Sequence, residues 1–131
     1  MLLEPAKESV DVCIVVRDIH KSLDFYQRIL GLEKVRELET PYGTVHRLRF
    51  GTSLLKVMDP RHVPPAGPVG LEKQLGFRFV SFTIRDLAGA CVALERAGVT
   101  LTMPATRVLP DLQVAMVADP DGNVLELVEL G

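Results

Sequence analysis

A glutamate stands between two leucines near the C-terminus, in the run Leu125-Glu126-Leu127. Side chains alternate across a β-strand, so the two leucines would be buried beneath helices and Glu126 would point to the other side of the sheet. An ionised carboxylate in a partly dry pocket needs a metal, a cation or hydrogen-bond donors. Glu126 is therefore a candidate catalytic residue, and the alternative is a solvated or arginine-paired glutamate on an open sheet face.

His46 is the second candidate catalytic residue, and in its strand-like run it is followed by Arg47 and Arg49 in alternation. Histidine titrates near neutral pH, so an inward-facing His46 beside a carboxylate could act as a general base. The sequence leaves its direction open, and a surface histidine is the alternative. Inward-facing arginines would indicate an anionic ligand, but we expect Arg47 and Arg49 to be ordinary solvated charges.

The elements that must position these residues occur twice. An apolar run ending in Arg-Asp appears as Val10–Asp18 and again as Phe79–Asp86. Each aspartate is expected to cap a helix, and three short strand-like runs broken by turn residues follow each helix. The order βαβββ is therefore predicted twice. The three runs are Leu32–Thr40, Thr44–Phe50 and Thr52–Met58 in the first half, and Val99–Ala105, Leu112–Ala118 and Asn123–Leu130 in the second.

The chain of 131 residues has the length of one ordinary domain. We expect a single domain over residues 1–131, with a first module at 9–59 and a second at 77–130. Residues 60–76 contain prolines and glycines that cannot continue the interior of a sheet or helix, so they are predicted to form the linker.

Two stretches resemble signatures of the vicinal oxygen chelate superfamily, which includes glyoxalase I, extradiol dioxygenases and bleomycin-binding proteins. The run Asp18-Ile-His-Lys-Ser-Leu-Asp-Phe-Tyr-Gln-Arg-Ile-Leu-Gly-Leu32 is similar to its D-x-x-x-S-x-x-F-Y-x-x-x-L-G-L helix. The run Asp119-Pro-Asp-Gly-Asn-Val-Leu-Glu-Leu127 is similar to its D-P-D-G-N-x-x-E-L ending. The resemblance implies an α+β fold in which two βαβββ modules form a curled, half-open mixed sheet around a cavity, with helices outside.

The resemblance also implies where a metal would bind, because members with a metal take ligands from the first and last strands of each half. Glu126 falls at one such position, and Asp11 at another, where it would ligate or else lie solvated at the sheet rim. Phe79 and Leu55 align with the other two positions, and neither side chain binds a cation. A divalent ion (Mn, Mg, Zn, Ni or Fe) remains a candidate cofactor. Its ligands would be Asp11, Glu126 and His46, at a site that has lost two donors at Leu55 and Phe79.

The cavity implied by the resemblance is expected to have a largely apolar lining. Alternation along the first strand leaves Asp11, Cys13 and Val15 on the cavity side. Such a lining suits an apolar or aromatic small molecule. The candidate binding residues are Cys13, Val15, Phe50, Leu55, Val57, Phe79, Ser81 and Met116.

Two functions follow from the resemblance and remain open. One is a glyoxalase- or dioxygenase-type enzyme, a lyase, isomerase or dioxygenase that acts on a small organic molecule between the two modules and uses a divalent ion to polarise it. The other is a metal-free small-molecule-binding protein of the bleomycin-resistance type, which the residues Phe79 and Leu55 favour.

The composition of the chain argues against nucleic-acid and membrane partners. A formal net charge of −2 without a basic block provides no source for nucleic-acid binding. No apolar run approaches the roughly 20 residues needed to cross a bilayer, and the N-terminus lacks the pattern of a signal peptide. We therefore expect a cytoplasmic protein without nucleic-acid or membrane partners. We also expect a homodimer, because a twofold partner would cover the open sheet edges and the incomplete cavity.

Overall fold

A computed structural model describes residues 2–131, so Met1, the first residue of the expected single domain, lies outside the described chain. The chain consists of two compact units, and the boundary between them falls after Pro65. Unit 1 ends at Pro65 and unit 2 begins at Ala66. This boundary lies in the stretch for which the prolines and glycines predict a linker.

Unit 1 contains a four-stranded mixed sheet and one short helix. The sheet has the order β1-β4-β3-β2, in which β1 and β4 are parallel and the other neighbours are antiparallel. A π-helical turn over Asp24–Ile29 continues the helix, and at its C-terminal end the Leu30 N–H donates to the carbonyl of Phe25. The elements are β1 (Val12–Val15), α1 (Ile19–Leu23), β2 (Glu33–Thr40), β3 (Gly43–Phe50) and β4 (Ser53–Pro60).

Unit 2 repeats this order with a longer helix. Its sheet has the order β5-β8-β7-β6, with β5 and β8 parallel. The α+β class and the repeated βαβββ order are thereby confirmed. The sixth strand starts later and ends later than the sequence predicts, and its pairing with the seventh is irregular. The elements are β5 (Phe79–Thr83), α2 (Leu87–Arg96), β6 (Leu101–Leu109), β7 (Leu112–Ala118) and β8 (Val124–Leu130).

Both helices begin at the aspartates predicted to cap them. The carboxylate of Asp18 accepts from the backbone N–H groups of His20 and Lys21, at 3.0 and 3.2 Å. Asp86 accepts from the N–H of Gly89 at 2.9 Å. Each bond satisfies a donor that has no partner inside the first helical turn. Neither helix in the described part of the chain is long and apolar enough to span a bilayer.

Strand alternation divides the sheet of unit 1 into two unlike faces. The packed face, as we call it, carries Leu48, Leu55 and Val57, which are at most 4% exposed. Helix α1 contacts β4, and the aromatic side chains of Phe25 and Tyr26 that follow it are buried as well. These residues form the core of the unit. The open face carries the alternate residues of the same strands.

Unit 2 is built in the same way. Its packed face consists of Ala115, Val117, Leu125 and Leu127, which are at most 5% exposed, and α2 packs on strands β6, β7 and β8 through buried apolar side chains. The open face of this sheet carries Glu126 and the residues that alternate with the core.

Candidate functional site

One row of side chains crosses the open face of unit 1 from β1 to β2. The backbone register pairs Cys13 with Lys56. It also pairs Arg47 with Lys56 on one side and with Arg36 on the other. Residues paired across neighbouring strands point to the same face, so a thiol and three cations stand side by side. We call Cys13, Lys56, Arg47 and Arg36 the basic row.

Two carboxylates on the open face lie next to the basic row, and both already have partners. Asp11 accepts from Lys7 Nζ at 2.7 Å and from the Leu54 N–H at 2.8 Å. The Lys7 hydrogen bond is the main reason why the pKa of Asp11 is lowered. Glu33 accepts from Arg49 Nη2 at 2.7 Å. Within residues 2–131, no carboxylate forms an ion pair with a cation of the basic row.

The basic row contains an unpaired donor and an accessible thiol. The Nε atom of Arg47 is shielded from solvent and has no hydrogen-bond partner in the described chain. A buried donor without an acceptor costs about 1–3 kcal/mol. Cys13 is exposed, whereas the second cysteine, Cys91, is buried. Partial desolvation raises the pKa of the Cys13 thiol, and the charge of Lys56 acts in the opposite direction.

The equivalent row of unit 2 has a different chemistry. Ser81 pairs with Glu126, Glu126 with Met116, and Met116 with Met103. The Ser81 hydroxyl donates to Glu126 Oε1 at 2.7 Å. Glu126 is half-buried and lies on the face opposite to its neighbours Leu125 and Leu127. One carboxylate, one hydroxyl and two thioethers therefore take the places of the thiol and the three cations in unit 1.

Lys56, rather than Leu55, occupies the position equivalent to Glu126. Cys13 and Ser81 each lie five residues before a helix-capping aspartate, and Lys56 and Glu126 are their parallel partners. The predicted alignment of Leu55 with Glu126 is therefore wrong by one residue. The cause is turn length, because two residues join β3 to β4 whereas five residues join β7 to β8.

Several residues expected in the pocket lie on the packed face instead. Leu55 and Val57 are core residues, 4% and 0% exposed. His46 pairs with Val57, and Phe50 has the same strand parity as His46. Because Arg47 and Arg49 share the side of Cys13, alternation turns His46 and Phe50 to the opposite side. Contrary to the prediction, Phe50, Leu55 and Val57 lie on the face opposite to Cys13, whereas Arg47 and Arg49 lie on the same face as Cys13.

His46 has an acidic neighbour on the packed face. Its Nδ1 atom lies 3.5 Å from Glu37 Oε1, which is too long for a good hydrogen bond. Burial is the main reason why the pKa of His46 is lowered, with a smaller contribution from Lys34, whereas the charge of Glu37 opposes the shift. Since Asp11 belongs to the open face, the predicted pairing of Asp11 and His46 as ligands of one metal is wrong.

The remaining candidates lie on the open faces. Val15 pairs with Met58 in unit 1, two residues along from the basic row. In unit 2, Phe79, Ser81 and Met116 share the face of Glu126.

Sequence reasoning does not single out Lys56 or Arg36, although both belong to the basic row. Lys56 could have been noticed in the sequence, because it is a charged residue inside the otherwise apolar run Leu54–Met58. Lysine rarely lies inside such a run unless its charge reaches solvent or a partner.

The donor set does not fit the divalent-metal centre implied by the family resemblance. The four equivalent positions hold Asp11, Lys56, Phe79 and Glu126, of which only two are oxygen donors. An ammonium group at a ligand position repels a divalent cation instead of binding it. No group of three or more histidine, cysteine, aspartate or glutamate side chains within residues 2–131 is arranged to hold a metal ion.

Known proteins resemble this chain in sequence. A lactoylglutathione lyase of Pseudomonas aeruginosa is 28% identical over an alignment that covers 87% of this chain and 77% of the relative. A lactoylglutathione lyase of Escherichia coli O157:H7 is also 28% identical, over 87% of this chain and 86% of the relative.

Solved structures resemble the chain in fold. The crystal structure of SMU.1112c superposes with a TM-score of 0.82 at 25% identity, covering 95% of this chain and all of that one. TnmS3, an antibiotic binding protein from Streptomyces sp. CB03234, superposes with a TM-score of 0.74 at 23% identity, a likeness of fold. The model of the Glyoxalase/Bleomycin resistance protein/Dioxygenase superfamily matches residues 9–127. The chain therefore belongs to the Glyoxalase/Bleomycin resistance protein/Dioxygenase superfamily.

Proposed function

We propose that this chain binds a small organic molecule on an open sheet face without the divalent-metal centre of its metal-dependent relatives. The observation that carries the proposal is Lys56, which stands where unit 2 has Glu126. Phe79 removes a second donor, and Asp11 already serves Lys7 and the Leu54 N–H. In this proposal Glu126 acts as the hydrogen-bond acceptor for Ser81.

Thermal melting tests the absence of metal binding. Protein freed of metal by chelation is melted alone and with Mn²⁺, Mg²⁺, Zn²⁺ or Ni²⁺. A ligand at a hundredfold excess over its Kd stabilises the folded state by about 2.7 kcal/mol, which shifts the melting temperature by several degrees. We expect none of the four ions to produce such a shift.

Two variants make this result specific to the proposed position. Glu126→Gln keeps the shape of the side chain and removes its charge, and Glu95→Gln makes the same change at an exposed position on α2. A metal-dependent rise in melting temperature that Glu126→Gln abolishes and Glu95→Gln preserves would refute the metal-free proposal.

A metal-dependent lyase is the second candidate function. It is favoured by the presence of Glu126 in a family-type ending and by the relatives that are lactoylglutathione lyases. It predicts the metal response just described, together with turnover of a glutathione adduct that depends on Glu126. The same melting series therefore separates the two functions.

A cytoplasmic location and a homodimer complete the proposal. Each sheet in the described chain ends in two edge strands, β1 and β2 in unit 1 and β5 and β6 in unit 2. Edge strands are available for pairing or coverage by a second copy. Sedimentation at micromolar concentration should give twice the mass of one chain, and a monomer at that concentration would contradict the dimer.

A further inference from the structure

We propose that the basic row binds a small organic anion carrying carboxylate or phosphate groups. This assignment rests on the metal-free binding function proposed above and names the chemical class of the ligand. The row presents three cations, Lys56, Arg47 and Arg36, on one face of the sheet of unit 1, and the pairing of β2 with β3 is irregular between Lys34 and Arg36.

The charge of the row is only partly compensated inside the protein: Asp11 attracts Lys56 at a distance, but no carboxylate in residues 2–131 forms an ion pair with Lys56, Arg47 or Arg36. The carboxylates nearest in the register, Asp11 and Glu33, are engaged by Lys7 and Arg49. Three like charges on adjacent strands repel one another, and an anion bound between them lowers this repulsion energy. The basic row therefore has a surplus of positive charge that a ligand can neutralise.

The spacing of the row suits more than one acidic group. Neighbouring strands lie about 4.8 Å apart, so the three cationic side chains leave the backbone over a width of roughly 10 Å. Guanidinium groups bind carboxylate or phosphate through two parallel hydrogen bonds. A movement of Arg47 towards a bound anion would also provide an acceptor for its unpaired Nε atom.

The neighbouring row accounts for the organic part of the ligand. Two residues along the strands, Val15 pairs with Met58 and Met58 with Val45. Val15 is 46% exposed, so part of this apolar row is accessible. An anion whose acidic groups contact the basic row can therefore place a hydrocarbon group against Val15 and Met58. The equivalent row of unit 2 contains no cation, so the site belongs to unit 1 alone.

Alkylation of Cys13 provides a direct measurement. Cys13 is exposed at one end of the basic row, and Cys91 is buried, so N-ethylmaleimide should modify Cys13 selectively in the folded protein. The modification rate is measured in metal-free buffer with increasing phenyl phosphate, phthalate or benzamide. We expect both anions to slow the reaction in a saturable way and the neutral benzamide to have no effect.

Variants assign the protection to the cations. Within each variant the rates with and without anion are compared, so a change in the thiol itself cancels. Lys56→Met and Arg47→Gln should each weaken the apparent affinity for the protecting anion by about tenfold or more, as expected for loss of a charge-assisted hydrogen bond. Arg36→Gln, at an exposed position where folding is not at risk, should weaken it as well. Lys21→Met removes an equal charge from α1 and should leave the affinity unchanged.

Three results would overturn the assignment. These are equal protection by benzamide, anion affinity that survives all three substitutions in the row, and no protection by either anion. Protection by one anion alone would support the row and identify the acidic group it prefers. Failure of the inference is distinguishable from failure of the metal-free function, because only the latter would be accompanied by stabilisation with divalent ions.

Discussion

The hydroxyl of Ser81 donates to Glu126 Oε1 across the parallel pair β5–β8, at 2.7 Å. The bond connects the first and last strands of unit 2 on its open face. Ser81→Ala should therefore lower the free energy of unfolding by about 0.5–1.5 kcal/mol, measured by urea denaturation. Glu126→Gln keeps an oxygen that can accept this bond, so it should cost less than Ser81→Ala. A larger loss for Glu126→Gln would contradict the hydrogen bond as the main role of Ser81.

Leu54 and Leu55 are adjacent, and the register places them on opposite faces of the first sheet. Leu55→Ala should destabilise the protein by about 2–5 kcal/mol, because it removes a side chain that is only 4% exposed and leaves a cavity. Leu54→Ala, at a half-buried position, should cost clearly less. Equal losses in urea denaturation would show that the assigned faces of β4 are wrong.

His46 should make stability depend on pH. Burial lowers the pKa of His46 in the folded chain, whereas an unfolded histidine titrates near pH 6.5. Between these two values the unfolded state binds the proton more readily, so the free energy of unfolding falls as the pH falls. The contribution is fully present above about pH 6.5 and is lost as the pH decreases through the folded pKa.

Two variants test this contribution. In denaturation curves at pH 7.5 and pH 5, the advantage of the wild type over His46→Gln should shrink at the lower pH. Glu37→Gln removes a charge that raises the pKa of His46, so it should lower that pKa further in an NMR titration. A folded pKa of His46 above 6.5 would contradict its burial on the packed face.

The cap of α1 should contribute measurably to stability. Asp18→Ala removes the acceptor for two backbone N–H groups and should cost about 1 kcal/mol. Asp24→Ala removes only a solvent-exposed ion pair with Arg28, so it should cost clearly less than Asp18→Ala. Asp18→Asn, which keeps a capping oxygen, should retain most of the stability. Chemical denaturation of the three variants checks this order.

Features set by local sequence were predictable. The helix starts follow from Asp18 and Asp86, because a capping side chain acts within a few residues of itself. The repeated βαβββ order follows from periodicity and turn residues, which also act locally. The observed strands differ from the predicted ones by a few residues at most of their ends; β4, for example, continues to Pro60 instead of ending at Met58.

The faces of β3 and β4 could not be predicted in the same way. Matching the glycines of the two hairpin turns aligns Leu55 with Glu126, but the parallel register pairs Lys56 with Cys13. Register depends on turn length and on pairing between segments distant in sequence, and a shift of one residue reverses every side chain. The same shift explains why Lys56 was missed, and the direction of His46, which the sequence leaves open, is fixed only by its pairing with Val57.

Every strand ladder in the described chain is completed inside one unit. Residues 61–69, which follow β4 and precede β5 in the sequence, are exposed. A proteolytic cut between Pro65 and Ala66 would therefore break no inter-strand hydrogen bond. Exposed segments with few backbone bonds are also where proteases cut first. A cut there would leave two fragments, each carrying a complete four-stranded sheet. Limited proteolysis should give two resistant halves of nearly equal mass, and each half can then be labelled with isotopes and studied by itself.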